Sequence, residues 1–142
     1  LQQLIKNKKI SVYVESKDSI FAFYDEDRII QVVTNLLSNA IKFCPESEGL
    51  ITIQVKKKDN FIETSVQDNG KGINPNDFEV IFDKFYQASN QNFKKPVGSG
   101  LGLAICKQII EHHKGKIWVN PSVKGAYIVF TLPIKNIENT DL

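Results

Sequence analysis

The chain contains 142 residues and carries a formal net charge of +2, with 42% hydrophobic and 24% charged residues. This length suits one domain with its own core, and the composition is ordinary for a globular protein. The small net charge gives no indication of nucleic-acid binding. The two cysteines are too few for a disulfide scaffold, and no apolar run approaches the roughly 20 residues that a membrane helix needs.

The first third of the chain predicts two short strands and a long helix. Residues 10–14 and 20–24 are rich in β-branched and aromatic side chains, and Asp25 is suited to cap a helix. Apolar residues then recur at a spacing of three and four, which predicts an amphipathic helix packed on a sheet. These residues are Ile29, Val32, Val33, Leu36, Leu37, Ala40 and Ile41.

The middle of the chain predicts a hairpin, a short helix and a loop. Residues 50–57 and 62–66 alternate between apolar and polar side chains, which predicts two paired strands. Asn74 followed by Pro75 predicts the start of a short helix through Phe82. Residues 86–97 are polar and lack periodicity, which predicts a mobile loop.

The last third predicts a helix and two strands. A helix is expected from about residue 100 to residue 114, with Gly115 as its stop, followed by strands at 116–119 and 126–132. These elements together predict an α/β fold, a two-layer sandwich in which helices cover one face of a mixed, mostly antiparallel sheet. We expect one domain over residues 1–142, with its core at about 10–133.

Three groups of residues have side chains or backbone suited to nucleotide chemistry. Asn35, Asn39 and Lys42 share one side of the long helix, where an amide oxygen could bind Mg²⁺; the alternative is a solvated polar edge. Asp68 lies on the predicted core face of its strand, where a carboxylate needs a donor; the alternative is a turn residue. The third group consists of glycines that open the last helix.

Glycines at the start of the last helix are suited to phosphate binding, because bare backbone N–H groups and the helix dipole favour anions there. The spacing of Gly98, Gly100 and Gly102 matches neither the P-loop nor the dinucleotide fingerprint, and an ordinary loop is the alternative. Three lysines flank the polar loop, and any of them could reach a γ-phosphate when the loop closes; the alternative is a solvated charge. They are Lys84, Lys94 and Lys95.

Two histidines, His112 and His113, lie in the last turn of that helix, where a capping role is expected.

Taken in order, these segments resemble the catalytic ATP-binding domain of sensor histidine kinases, within the GHKL ATPase superfamily. The similarity extends from about residue 10 to residue 133. Residues 27–43 resemble the N box, 68–73 the G1 box, 82–86 the F box, 98–103 the G2 box, and 115–118 with 125–133 the closing strands.

The resemblance implies a role for each matching residue, with ATP and Mg²⁺ as cofactors. Asn39 would bind the metal, with Asn35 and Lys42 near the metal and the phosphates, and Asp68 would bind the adenine amino group. The expected catalytic residues are Asn35, Lys42 and Lys84. The implied nucleotide-binding residues are Asn35, Asn39, Lys42, Phe43, Asp68, Gly70, Gly72, Ile73, Phe85, Tyr86, Gly98, Ser99, Gly100, Leu101, Gly102 and Leu103. Residues 86–99 would form a lid over ATP.

Asn35 stands where hydrolytic relatives such as gyrase carry a glutamate base, and an amide cannot take a proton from water. The resemblance therefore implies transfer of the γ-phosphoryl group to a histidine on a separate dimerisation domain and then to a response regulator. We expect a cytoplasmic, monomeric domain of a homodimeric parent that can be membrane-anchored, with no nucleic-acid partner. The alternatives are a serine/threonine kinase of the anti-sigma type and a non-catalytic nucleotide-binding regulatory module.

Overall fold

The computed structural model describes residues 9–16, 24–84 and 102–134. Within these residues, two α-helices and two short 3₁₀ turns accompany one five-stranded sheet. The helices are α1 (Glu26–Phe43) and α2 (Gly102–His112). The strands are β1 (Ile10–Ser16), β2 (Gly49–Lys57), β3 (Phe61–Asp68), β4 (Lys116–Val119) and β5 (Tyr127–Pro133).

The sheet has the strand order β1-β2-β3-β5-β4. β1 pairs with β2 in parallel because α1 forms the connection between them, and the other three pairings are antiparallel. The predicted turn between β2 and β3 is confirmed, since the backbone N–H of Lys58 donates to the carbonyl of Phe61 at 2.8 Å. The predicted mixed, mostly antiparallel sheet is therefore confirmed.

The core lies between one face of the sheet and the two α-helices. The apolar stripe predicted for α1 is confirmed, because its side chains join this core or pack against its edge. Phe130 at the centre of β5 and Leu36 in α1 are each 1% exposed. Helices thus cover one face of the sheet, which confirms the two-layer α/β sandwich. Among the described residues, no helix combines the length and apolar character that a membrane span requires.

The two α-helices run antiparallel and are joined by hydrogen bonds along their length. The Cys106 thiol lies 3.7 Å from the Val32 carbonyl, and the Asn35 side-chain amide donates to the Gly102 carbonyl at 3.3 Å. Burial raises the pKa of the Cys106 thiol to about 12, so the thiolate does not form at neutral pH. Cys44 is also buried.

Some local predictions need correction. The short helix expected before residue 83 is two 3₁₀ turns, Pro75–Asp77 and Val80–Phe82, although Asn74 caps the first turn as predicted. At the end of α2 the left-handed residue is Lys114, with φ of 66°, rather than the glycine that follows it. Gly115 is required there for space, because a Cβ atom would lie 1.9 Å from the Thr131 carbonyl oxygen.

Other predictions fall outside the described residues. They include most of the strand at 20–24, the loop at 86–97 and the part of the last helix before Gly102.

Candidate functional site

A cleft opens between α1, the loop after β3, the start of α2 and the start of β5. Its cavity volume is about 120 Å³, and it is open to solvent on one side. Its wall is mostly apolar with a few polar groups. Six of its lining residues were predicted from the sequence, namely Asn39, Phe43, Asp68, Gly72, Ile73 and Leu103.

Asp68 ends β3 and points its carboxylate into this cleft while being only 6% exposed. The alternation of side chains along β3 predicted that Asp68 shares a face of the strand with Ile62, Thr64 and Val66, and all three are buried. Burial raises the pKa of the Asp68 carboxyl, and hydrogen bonds from the backbone of Gly70 and Ala126 oppose that increase.

Both of those bonds end on the same carboxylate oxygen. The Gly70 N–H donates to Oδ1 at 2.8 Å and the Ala126 N–H donates to Oδ1 at 3.1 Å. Among the described residues, no group hydrogen-bonds to the second oxygen, Oδ2. Asp68 therefore presents one unpaired acceptor to a ligand in the cleft.

Gly70 lets the loop after β3 pass close against the end of α1. A Cβ atom at this position would lie 2.1 Å from the carbonyl oxygen of Phe43, which no other residue type could tolerate without a backbone shift. Because Phe43 and Asp68 both line the cleft, this close approach sets the distance between two of its walls.

The polar residues along one side of α1 lie in different surroundings. Asn39 lines the cleft, whereas the Asn35 side chain donates to the Gly102 carbonyl and joins α1 to the start of α2. Lys42 lies exposed in the last turn of α1. The three residues share a side of the helix, as predicted; their roles in binding and catalysis stay predictions.

The donor set at the cleft suits Mg²⁺ bound mainly by a ligand's phosphates. Among the described residues, no group of three or more His, Cys, Asp and Glu side chains could hold a metal ion. Mg²⁺ commonly takes one or two protein oxygens and completes its shell with phosphate and water. The amide oxygen of Asn39 in the cleft fits that arrangement.

Leu103, the second residue of α2, lines the cleft, and Gly102 is the first residue of that helix. The N-terminus of α2 therefore lies beside the cleft, where its dipole favours an anion. Lys84 is exposed, just beyond the second 3₁₀ turn. The remaining predicted residues lie outside the described part of the chain. They are Phe85, Tyr86, Lys94, Lys95, Gly98, Ser99, Gly100 and Leu101.

Several residues of the cleft were missed from the sequence. Ala126 contributes a backbone N–H, which no side-chain pattern reveals. Asn74 and Asp77 also line the cleft; the pair Asn74-Pro75 was visible in the sequence, but only as a helix cap. The apolar side chains of the missed set are Leu36, Ala40, Val66, Ile81 and Ile128.

The Asn69 side chain, in the G1 box, joins the loop after β3 to the start of β2 through hydrogen bonds. Its Oδ1 accepts from the Leu50 N–H at 2.9 Å, and its Nδ2 donates to the Glu48 carbonyl at 2.9 Å. These two bonds hold the loop, and with it the strand end that carries Asp68, against the start of β2.

His113 caps α2, as predicted. Its Nδ1 lies 2.8 Å from the Ile109 carbonyl, and its Nε2 accepts the Asp25 backbone N–H at 3.0 Å. The ring thus joins the end of α2 to the start of α1.

Comparisons with known proteins agree with this geometry. Residues 24–136 match the model of the family described as histidine kinase-, DNA gyrase B-, and HSP90-like ATPase. The sensor histidine kinase WalK of Bacillus subtilis (strain 168) is 40% identical over 125 residues, which cover 86% of this chain and 20% of that protein. The chain thus spans about a fifth of the length of that relative.

Solved structures give the same result. The catalytic domain of histidine kinase ThkA has a TM-score of 0.80 and 31% identity, covering 93% of this chain and 85% of that chain. Full-length ShkA in complex with AMPPNP has a TM-score of 0.80 and 28% identity, covering 92% and 27%. ThkA in complex with the response regulator protein TrrA has a TM-score of 0.78 and 29% identity, covering 94% and 37%.

Proposed function

The chain belongs to the histidine kinase-, DNA gyrase B- and HSP90-like ATPase family, and we propose that it is the catalytic domain of a histidine kinase. In this proposal it binds Mg-ATP and transfers the γ-phosphoryl group to a histidine on a separate dimerisation domain. The observation that carries the proposal is the buried carboxylate of Asp68, whose unpaired oxygen faces an apolar cleft. The relative ShkA was solved with the ATP analogue AMPPNP, which supports this assignment.

The adenine base would occupy the apolar end of the cleft. Its amino group would donate to Oδ2 of Asp68, the oxygen that the backbone leaves unpaired. Phe43, Ile73 and Leu103 line the cleft around this position and supply the apolar surface that a purine needs. A hydrogen bond to a buried carboxylate is worth about 1.5–3 kcal/mol, so Asp68 would contribute much of the selectivity for the base.

The phosphates would lie toward α1 and the start of α2. Asn39 would supply the protein oxygen for Mg²⁺, and the ion would neutralise charge on the phosphates. The N-terminus of α2 adds the positive end of its dipole. Lys42 and Lys84, both exposed, would approach the phosphates from the solvent side.

Asn35 determines what happens to the γ-phosphoryl group. Its amide donates to the Gly102 carbonyl, and an amide cannot remove a proton from water at neutral pH. ATP would therefore be held without rapid hydrolysis until an acceptor histidine arrives. The chain's contribution is positioning and charge stabilisation rather than proton abstraction.

The partners follow from this reaction. The phosphoacceptor histidine would belong to a dimerisation domain of the same parent, which would be a homodimer, while the isolated domain would be a monomer in the cytoplasm. A response regulator would receive the phosphoryl group from that histidine. The complex of ThkA with the response regulator TrrA supports such a partner.

A phosphotransfer experiment tests the proposal. The domain is incubated with Mg²⁺, γ-labelled ATP and the purified histidine-bearing domain of its parent protein. We expect label on the acceptor that is lost in acid and kept in base, as phosphohistidine is. Replacing Asn39 with alanine should lower ATP affinity in Mg²⁺ to the value measured in EDTA. Label on serine or threonine would support the anti-sigma-type kinase instead, and absence of ATP binding would overturn the proposal.

A further inference from the structure

The carboxylate of Asp68 is unusually restricted as an acceptor. A carboxylate oxygen offers two lone-pair positions, and Oδ1 already accepts two backbone N–H groups, from Gly70 at 2.8 Å and Ala126 at 3.1 Å. Oδ1 is therefore saturated. Oδ2 is the one oxygen of this side chain that can accept from a ligand.

The hydrogen-bonding edges of the two purines make this restriction selective. Adenine offers its amino donor beside a ring nitrogen that only accepts. Guanine offers two neighbouring donors, the ring N–H and the 2-amino group, which fit a carboxylate with both oxygens free. When one oxygen is saturated, the second guanine donor is buried without a partner, and that costs binding free energy.

We propose that the backbone N–H of Ala126 is a specificity-determining group, which selects adenine over guanine by occupying Oδ1 of Asp68. This inference rests on the proposed function, in which Asp68 binds the base. It adds the β4–β5 turn, residues 120–126, to the nucleotide site. A free carboxylate at this position would not by itself exclude guanine.

The β4–β5 turn holds the backbone N–H of Ala126 close to the Asp68 carboxylate. The backbone N–H of Asp68 donates to the Ala126 carbonyl at 2.9 Å, so the two residues hold each other in register. Gly125 is buried with φ of 83°, and a Cβ atom there would lie 1.8 Å from the Asp68 carbonyl oxygen. The turn can therefore approach Asp68 only with glycine at this position.

The main test removes the N–H group and keeps the rest of the turn. Ala126→Pro has no backbone donor, whereas the matched control Ala126→Ser keeps it. Affinities for ATP and GTP are measured by competition against a fluorescent nucleotide. The ratio of ATP to GTP affinity should fall about tenfold or more in Ala126→Pro, the scale of one hydrogen bond to a charged group. It should stay within about twofold of the wild type in Ala126→Ser. An unchanged ratio in folded Ala126→Pro would overturn the inference.

A second pair of variants and one wild-type measurement keep the test decisive if Ala126→Pro does not fold. Gly125→Ala should displace the turn and lower the ratio. Gly115→Ala creates a similar collision, 1.9 Å from the Thr131 carbonyl oxygen, and should lower stability without changing the ratio. In the wild type, ITP lacks the 2-amino group and should bind about tenfold tighter than GTP. Equal binding of ITP and GTP would contradict the inference.

Asp68→Ala separates this inference from the proposed function. If the wild type prefers ATP and Asp68→Ala keeps that preference, then Asp68 does not read the base and the proposed role fails. If Asp68→Ala loses the preference but Ala126→Pro keeps it, the role of Asp68 stands and only the role of the Ala126 N–H is wrong.

Discussion

Replacing Asp68 with asparagine should stabilise the free domain and greatly weaken its binding of ATP. The asparagine Oδ1 can still accept the N–H groups of Gly70 and Ala126, which lie at 2.8 and 3.1 Å. The uncharged amide removes the desolvation that raises the pKa of this 6% exposed carboxyl. The amide NH₂ replaces Oδ2, so a donor would meet the amino donor of adenine.

The two effects have different sizes. The backbone bonds offset part of the desolvation cost, so we expect a gain of about 1 kcal/mol in the free energy of unfolding. For a chain of this length that gain corresponds to an increase in Tm of about 3–4 °C. Loss of a charge-assisted hydrogen bond costs about 1.5–3 kcal/mol, and the donor–donor contact adds to it. ATP affinity should therefore fall by about a hundredfold or more.

The pH dependence has a definite sign. Because the carboxyl pKa is raised in the folded state, ionised Asp68 destabilises the wild type above the folded pKa. This penalty disappears as the pH falls toward 3.8, the ordinary pKa of an aspartate side chain. The stability advantage of Asp68→Asn should therefore be largest near pH 7 and shrink on acidification. Scanning calorimetry of both proteins from pH 7 to pH 4.5, with and without Mg-ATP, measures both effects. A variant less stable than wild type at pH 7, or an advantage that grows in acid, would refute the reasoning.

Three further predictions concern the cleft, the core and the acceptor. Gly70→Ala should lower ATP affinity about tenfold or more by calorimetry, because its Cβ would lie 2.1 Å from the Phe43 carbonyl oxygen and force the two walls apart; wild-type affinity would show that the loop relaxes freely. Phe130→Ala should lower the free energy of unfolding by about 3–5 kcal/mol in urea, since this side chain is 1% exposed; a loss below 1 kcal/mol would place it outside the core. The isolated domain should remain unlabelled with γ-labelled ATP, and label on His112 or His113 would overturn the assignment of an external acceptor.

The sequence by itself determined most of the elements and which of their side chains face the core. Period two in β3 placed Asp68 on the buried face, and the three-and-four spacing in α1 placed Leu36 and Ala40 in the core. Both results follow from local backbone geometry, which repeats along the chain and so appears directly in the residue pattern. The same pattern put Asn35 and Asn39 on one side of α1.

Only the tertiary structure decided how these groups are paired. Ala126 is 58 positions from Asp68, and it reaches the carboxylate because β5 pairs with β3 in the sheet. Asn35 and Gly102 are 67 positions apart and meet because α1 and α2 pack side by side. Every residue except proline carries the same backbone N–H, so the sequence cannot show which one is delivered to a given acceptor. That choice comes from strand order and helix packing, which depend on the whole core at once.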